Sequence, residues 1–271
     1  MEKYSVLMSL YIKEKAEFLS QSIISMLEQT VLPDEIVIVK DGPITNDLED
    51  VIDGFQKNFP ELFTIVKSEK NIGLGRALNL GLKNCRNELV ARMDTDDISL
   101  PSRCEKQLLA FEANEELSIV GTFVDEFTSN PNEIISSRIV PTSHEEIYSF
   151  AKRRSAFNHP TVMYKKTKVL ECGGYNDLRR NQDVDLFGRM LYSGCKALNI
   201  SETLLLFRSN RDLSKRRRSW INTISYISTI RKFWALGYSD FFDFAIVATA
   251  QSIMFICPLG LQNWIYKKFL R

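Results

Sequence analysis

Leu89-Val90-Ala91-Arg92-Met93-Asp94-Thr95-Asp96-Asp97 joins a short, largely apolar run to a turn that carries three carboxylates. The run has the length and aliphatic content of a strand buried on both faces. Four others share the pattern: Tyr4 to Leu10, Glu35 to Val39, Leu62 to Lys67 and Leu117 to Val124. Between them lie segments with apolar residues at i, i+3 and i+4, namely Leu48, Val51, Ile52, Phe55 and Phe59, then Leu74, Ala77, Leu78, Leu82 and Cys85. That spacing marks amphipathic helices. Strand and helix therefore alternate, which predicts an α/β fold with right-handed crossovers, a mostly parallel Rossmann-like sheet and a ligand crevice at the carboxyl ends of the strands. Functional residues are expected just after each strand.

Three like charges at a strand end cost stability unless a cation relieves them. Mg²⁺ and Mn²⁺ take oxygen ligands and are often held by one or two carboxylates plus substrate phosphates. An Asp-x-Asp turn suits that role, with an acidic surface turn before a helix capped at Ser99 or Ser102 as the bland alternative. A calcium loop is excluded: Asp94, Asp96 and Glu105 fall at positions 1, 3 and 12, but Ile98 and Ser99 stand at positions 5 and 6 and Pro101 interrupts. The second strand runs into Lys40-Asp41-Gly42-Pro43, a turn that leaves Asp41 at the crevice mouth, able to accept a hydrogen bond from a base or ribose or simply to form an Asp-Gly turn. Asn71-Ile72-Gly73-Leu74-Gly75-Arg76 follows the third strand and opens a helix, so its glycines could admit a ligand close to the backbone and Arg76 could meet a diphosphate or base. It is neither the dinucleotide fingerprint, because Leu78 stands at the third glycine position, nor a P-loop, because Gly-Lys-Ser/Thr is missing.

Taken in order, Ser5-Val6-Leu7-Met8-Ser9-Leu10-Tyr11, Ile36 to Gly42, Asn71 to Asn79, Arg92 to Asp97 and Asn181-Gln182-Asp183-Val184-Asp185-Leu186 resemble the family-two inverting glycosyltransferases, in the bacterial branch that builds capsule, exopolysaccharide and lipopolysaccharide. The match runs over roughly residues 4 to 210. It implies a GT-A fold, a UDP-sugar donor, a divalent cation (Mn²⁺ or Mg²⁺) and a glycan or lipid-linked oligosaccharide acceptor. Carried over by position, it puts Asp41 on the uracil and Arg76 near the base or diphosphate. Asp94 and Asp96 become ribose and metal contacts, Asp97 shares the metal with Asp96, and Ser9 and Tyr11 line the nucleotide pocket. Asp183 takes the role of catalytic base, and His159, in Phe157-Asn158-His159-Pro160, lies near the sugar site. Gly173-Gly174-Tyr175 matches the stretch before the base.

Two positions depart from the family pattern: Lys40 and Gln182 each stand where an acidic residue is common. If Asn181 caps a helix, Asp183 lies in its first turn, where the helix dipole favours an ionised carboxylate. Asp185, two residues on and about 200° round the helix, cannot face the same acceptor. The chain is expected to divide into a catalytic unit, 1–214, with a nucleotide-sugar half (1–100) and an acceptor half (101–214), followed by a basic and apolar helical C-terminal appendage at 215–271.

With 35 Lys+Arg against 34 Asp+Glu, the net charge of +1 supplies no global field for nucleic acid. The five scattered cysteines form no Cys-x-x-Cys pair and read as free thiols of a reducing compartment. The N-terminus lacks the features of a signal peptide, which predicts a cytoplasmic catalytic domain. Beyond Thr128 the strand–helix alternation fades, and from Lys215 the composition shifts to Lys215-Arg216-Arg217-Arg218, then to a largely apolar stretch from Ala245 to Cys257, with Trp264, Tyr266, Lys267 and Lys268 after it. The apolar run falls short of the ~20 residues that span a bilayer, so 215–271 is expected to lie on the inner membrane surface, against the alternatives of packing on the core or dimerising. Two rival functions are a sugar-nucleotide nucleotidyltransferase, which wants a Gly- and Arg-bearing loop where Ser9 to Glu14 stands, and a noncatalytic scaffold subunit of an assembly complex.

Overall fold

The computed structural model describes residues 1–209 and 220–257. Nine strands form one sheet: β1 (Tyr4–Leu10), β2 (Glu35–Lys40), β3 (Phe63–Lys67), β4 (Leu89–Met93), β5 (Ile98–Ser99), β6 (Leu117–Phe127), β7 (Ser136–Arg138), β8 (Met163–Lys165) and β9 (Lys196–Arg208). Their order is β3-β2-β1-β4-β8-β6-β9-β5, with β7 paired to β6. The first four strands are mutually parallel and lie where the apolar runs predict.

Beyond β4 the sheet becomes mixed, where the strand–helix alternation of the sequence fades. β8 inserts antiparallel between β4 and β6, so β6 keeps the direction of β4 without touching it. β9 then pairs parallel to β6, and β5 antiparallel to β9. The three residues of β8 are too few to show a period in the sequence, and only their neighbours make them a strand.

Helices α1 (Ala16–Leu27), α2 (Asn46–Asn58) and α4 (Arg103–Ala113) cover one face, and α3 (Leu74–Asn84), α5 (His144–Ala151), α6 (Lys166–Glu171) and α7 (Gln182–Tyr192) the other. The alternation along each strand feeds both cores. Val6, Met8, Ile36 and Ile38 pack toward α1, while Leu7, Val37 and Val39 pack toward α3. Burial on both faces explains why these strands read as continuous apolar runs.

The last two described helices, α8 (Trp220–Leu236) and α9 (Phe241–Ile256), pack against each other and join the core beside α7, through Ile230, Phe233, Tyr238 and Val247. Gly188 of α7 makes room for the Phe233 ring: a Cβ there would stand 2.1 Å from Phe233 Cζ. Gly188→Ala should therefore destabilise the fold by about 1–3 kcal/mol through overpacking. Chemical unfolding checks this, and an unchanged midpoint would show that the α7–α8 contact is loose. The boundary expected at 214/215, the basic run 215–218 and the aromatic-basic tail at 264–268 lie outside the described residues. Among the described residues no helix is long and apolar enough to cross a membrane. Among the described residues no disulfide forms, as the scattered cysteines predict.

Candidate active site

β1 sits between β2 and β4, so the chain reverses its direction of progress across the sheet there. A crevice opens at the carboxyl ends of strands at such a switch point. Met8 and Met93 are register partners, which brings the segment after β1 against the acidic turn after β4. Ser22 Oγ of α1 donates to the Asp94 carbonyl at 2.7 Å, and Thr95 Oγ1 donates to Glu14 Oε2 at 2.8 Å.

Asp94, Asp96 and Asp97 offer oxygens that all lie within 4.8 Å of one another. Asp97 is 1% exposed; its Oδ1 accepts the Arg208 N–H at 2.8 Å, and its Oδ2 has no hydrogen-bond partner. Burial, then Asp96 and Asp94, push the Asp97 carboxyl well above the usual range. Asp96 is pushed up to about 7, by burial first and then by Asp94 and Glu14. Crowded carboxylates with one orphan oxygen fit a hard divalent ion. Because ligands must be deprotonated to bind, cation affinity should fall as pH drops through about 7, with protons released on binding. Titration calorimetry at pH 6 and pH 8, in buffers of different ionisation enthalpy, measures both effects. Equal affinities at the two pH values would place the ion elsewhere.

Arg208, the last residue of β9, clamps this turn together with α1. Its Nε donates to the Asp96 carbonyl at 2.8 Å and its Nη2 to Gln21 at 2.7 Å, while the guanidinium lies 3.9 Å from the Phe18 ring centroid. Neither Arg208 nor Glu14 stood out in the sequence, because each joins the turn only through sheet pairing or a loop.

In the turn after β2, Asp41 is 4% exposed, and its carboxylate receives the Ile72 N–H at 2.6 Å and the Gly73 N–H at 3.1 Å. The turn after β2 thereby fixes the loop after β3. Lys40 points instead to α2, where it pairs with Glu49, so its departure from the family pattern is absorbed away from the crevice. Gly75 does not admit a ligand in this structure: the Asn176 carbonyl stands 3.0 Å from where a Cβ would be. Arg76 is exposed and pairs with Asp177, which ties α3 to the loop before α7. Asn79 strengthens that tie, giving 2.7 Å to the Tyr175 carbonyl and accepting its N–H at 2.8 Å. Ser9 is half-buried at the end of β1, and Tyr11 is exposed just beyond it.

On the opposite wall, α7 begins at Gln182, with Asn181 at the N-cap in a left-handed conformation, φ 58°. Its side chain does not cap the helix and reaches the Asn222 carbonyl at 3.4 Å, which corrects the capping expected from the sequence. Ser102 likewise precedes α4 without a side-chain cap.

Asp183 is half-buried in the first turn of α7. Burial raises its carboxyl, opposed by the N–H groups of Val184 and of Asp183 itself and by Arg92, while Asp94 adds to the rise. Asp185 differs in every respect. It is 1% exposed, with Oδ2 accepting from Asn176 at 2.7 Å and from Arg189 Nε at 3.0 Å. Arg189 also donates to the Cys172 and Gly174 carbonyls. Asp185 is therefore tied through Oδ2 to the Gly173-Gly174-Tyr175 loop, and its Oδ1 lies 3.9 Å from Lys232 Nζ.

His159 meets the Tyr175 hydroxyl at 3.0 Å through Nε2, and burial with nearby Arg92 keeps it well below its usual pKa, hence neutral. Its turn is fixed by α4: Arg103 donates to the Pro160 carbonyl at 3.0 Å and to the Arg92 carbonyl at 3.2 Å, and Gln107 to the Thr161 carbonyl at 2.8 Å. The crevice thus gathers a cluster of three carboxylates, a neutral histidine and the half-buried Asp183 carboxylate of α7.

Residues 5–178 match the family model described as Glycosyl transferase family 2. The chain belongs to that family. It is 37% identical over 271 residues to the Escherichia coli UDP-Gal:alpha-D-GlcNAc-diphosphoundecaprenol beta-1,3-galactosyltransferase, covering 99% of this chain and 97% of that protein. The Erwinia amylovora amylovoran biosynthesis glycosyltransferase AmsE is 36% identical over 265 residues, covering 98% of each. Among solved structures, the Pyrobaculum calidifontis mannosyltransferase PcManGT, in complex with GDP-Man and Mn²⁺, superposes with a TM-score of 0.64 at 13% identity, over 98% of this chain and 79% of that one. The family-two membership makes the chain a glycosyltransferase, and the superposition agrees with the GT-A architecture expected from the sequence.

Proposed function

We propose that this glycosyltransferase moves a sugar from a UDP-sugar to a hydroxyl of a lipid-linked glycan, with inversion at the anomeric carbon. The observation that carries this reading is the pairing, across one crevice, of the acidic triad with a single unpaired carboxylate at Asp183. The relative named for UDP-Gal and a diphosphoundecaprenol-linked GlcNAc supports the choice of donor and acceptor classes.

In this reading Ser9, Tyr11, Asp41 and Arg76 line the nucleotide side, and Asp94 contacts the ribose. Asp96 and Asp97 hold a divalent ion, Mn²⁺ as in the superposed mannosyltransferase or Mg²⁺, which would neutralise charge on the departing diphosphate. Asp183 takes the proton of the attacking hydroxyl, and neutral His159 with Tyr175 offers hydrogen bonds to the sugar. Residues 1–214 form the catalytic unit.

The segment 215–271 serves as a contact with the inner membrane surface. Trp234, Leu236, Phe241 and Phe242, exposed around the joint between α8 and α9, support this, because aromatic side chains favour the lipid interface. The diphosphate-lipid acceptor named for the relative supports it as well.

The test is release of UDP from a panel of UDP-sugars, with Mn²⁺ and a GlcNAc-diphosphate carried on a prenyl chain. Cation-dependent release that also needs the acceptor supports the proposal, and no release with any donor overturns it. Retention of the protein in the soluble fraction at low salt, away from anionic vesicles, would remove the membrane contact alone.

A further inference from the structure

The buried face of α4 carries two polar side chains beside Cys104, Leu108 and Phe111: Arg103 and Gln107, one helical turn apart and both 0% exposed. Arg103 Nη1 donates to the Pro160 carbonyl at 3.0 Å, and Nη2 to the Arg92 carbonyl at 3.2 Å. The sulfurs of Met93 and Met26 lie against the same two nitrogens, at 3.5 and 3.9 Å. Its Nε has no hydrogen-bond partner and, among the described residues, no carboxylate pairs with the guanidinium. A buried cation without a counter-ion is costly, and an apolar side chain on this stripe would hold α4 to the sheet as well. Such violations concentrate at functional sites.

The two carbonyls belong to the two segments that carry the site. Arg92 stands two residues before Asp94, and Pro160 follows His159. The Arg92 N–H meets the Val162 carbonyl at 2.8 Å, and Gln107 adds the Val120 and Thr161 carbonyls, each at 2.8 Å. The planar fork of Arg103 thus spans the end of β4 and the turn that bears His159. We propose that Arg103 is a positioning residue, which sets the spacing between the acidic turn and His159 and so the place of the donor sugar relative to its diphosphate. The proposal rests on the reading of His159 as a contact to that sugar. Ser22 and Arg208 hold the Asp94 and Asp96 carbonyls independently, so loss of Arg103 releases the His159 turn rather than the acidic one.

The experiment compares Arg103→Met and Arg103→Lys with His159→Gln, measuring kcat and donor KM per folded molecule at saturating divalent cation, with the folded fraction taken from thermal unfolding. Arg103→Met should lower kcat by about 10²-fold, the cost of misplacing a contact by about 1 Å. Donor KM should stay near the wild-type value, because the acidic turn keeps its other ties. Arg103→Lys should also stay well below wild-type kcat, because one ammonium nitrogen cannot stand at both positions of the fork. A second readout needs no turnover. The chain has two histidines, so histidine-labelled protein gives two ring signals in NMR. The His159 signal should move in both variants, with His144, on α5, as the internal reference. An arginine that only supports the fold lowers the folded fraction and leaves kcat per folded molecule at the wild-type level. That result, or an unmoved His159 signal, overturns the proposal. If the Met variant does not fold, the Lys variant decides by the same two measures. Wild-type kcat in His159→Gln removes the reading of His159 and the proposal with it, whereas a deficient His159→Gln beside wild-type kcat in the Arg103 variants removes only the role of Arg103.

Discussion

Asp183→Asn should abolish sugar transfer, with kcat lowered by about 10³-fold, while UDP-sugar binding measured by calorimetry stays within error of wild type. The magnitude is that of a general base positioned on a reacting hydroxyl. Donor binding is spared because Asp183 stands on α7, across the crevice from the acidic turn. An ionised base is required, so activity falls as pH drops through the Asp183 pKa, and burial places that fall above the usual aspartate range. Asp185→Asn is the control. It breaks a buried pair with Arg189 and should cost about 3 kcal/mol of stability, with activity lost only in proportion to unfolded protein. Wild-type kcat in Asp183→Asn would show that the proton goes elsewhere.

Asp96→Asn should weaken divalent-cation binding by about 10²-fold or more and lower transfer to match, since in the proposed site it removes a direct ligand. The same change should raise the melting temperature of the cation-free protein at pH 8. The sign follows from linkage. The Asp96 carboxyl is raised from 3.8 to about 7 in the fold, so the native state binds the extra proton between those values and stability falls as pH rises through them. Above pH 7 the cation-free wild type carries the full repulsion, which asparagine lacks. Adding Mn²⁺ should reverse the ranking, by stabilising wild type and not the variant. The contrast is that of a site tuned for ligand at the expense of its empty state. A variant that binds Mn²⁺ like wild type would move the cation off this turn.

The four parallel strands were legible because burial on both faces writes a continuous apolar run, and the crevice followed from strand order once the alternation was seen. The acidic turn was legible because its carboxylates are adjacent in the chain. Asp183 and His159 came through the family resemblance, since neither carries a local signal that distinguishes it from an ordinary helix or core residue. What distinguishes the surroundings of Asp185 from those of Asp183 is a pair of side-chain partners, Asn176 and Arg189, the first of them seven or more residues from either aspartate.

By itself, then, the sequence determined the α/β layout, the family and the place of the acidic turn, because periodicity and contiguous motifs are local properties of a chain. Only the tertiary structure decided that β8 runs antiparallel beside β4, that Asp41 secures the loop after β3, and that α8 and α9 share the core of α7. It alone also showed Arg92 buried and paired with Asp94. Pairing register, desolvation and the charges that surround a buried group depend on residues distant in the chain, and no local pattern records them.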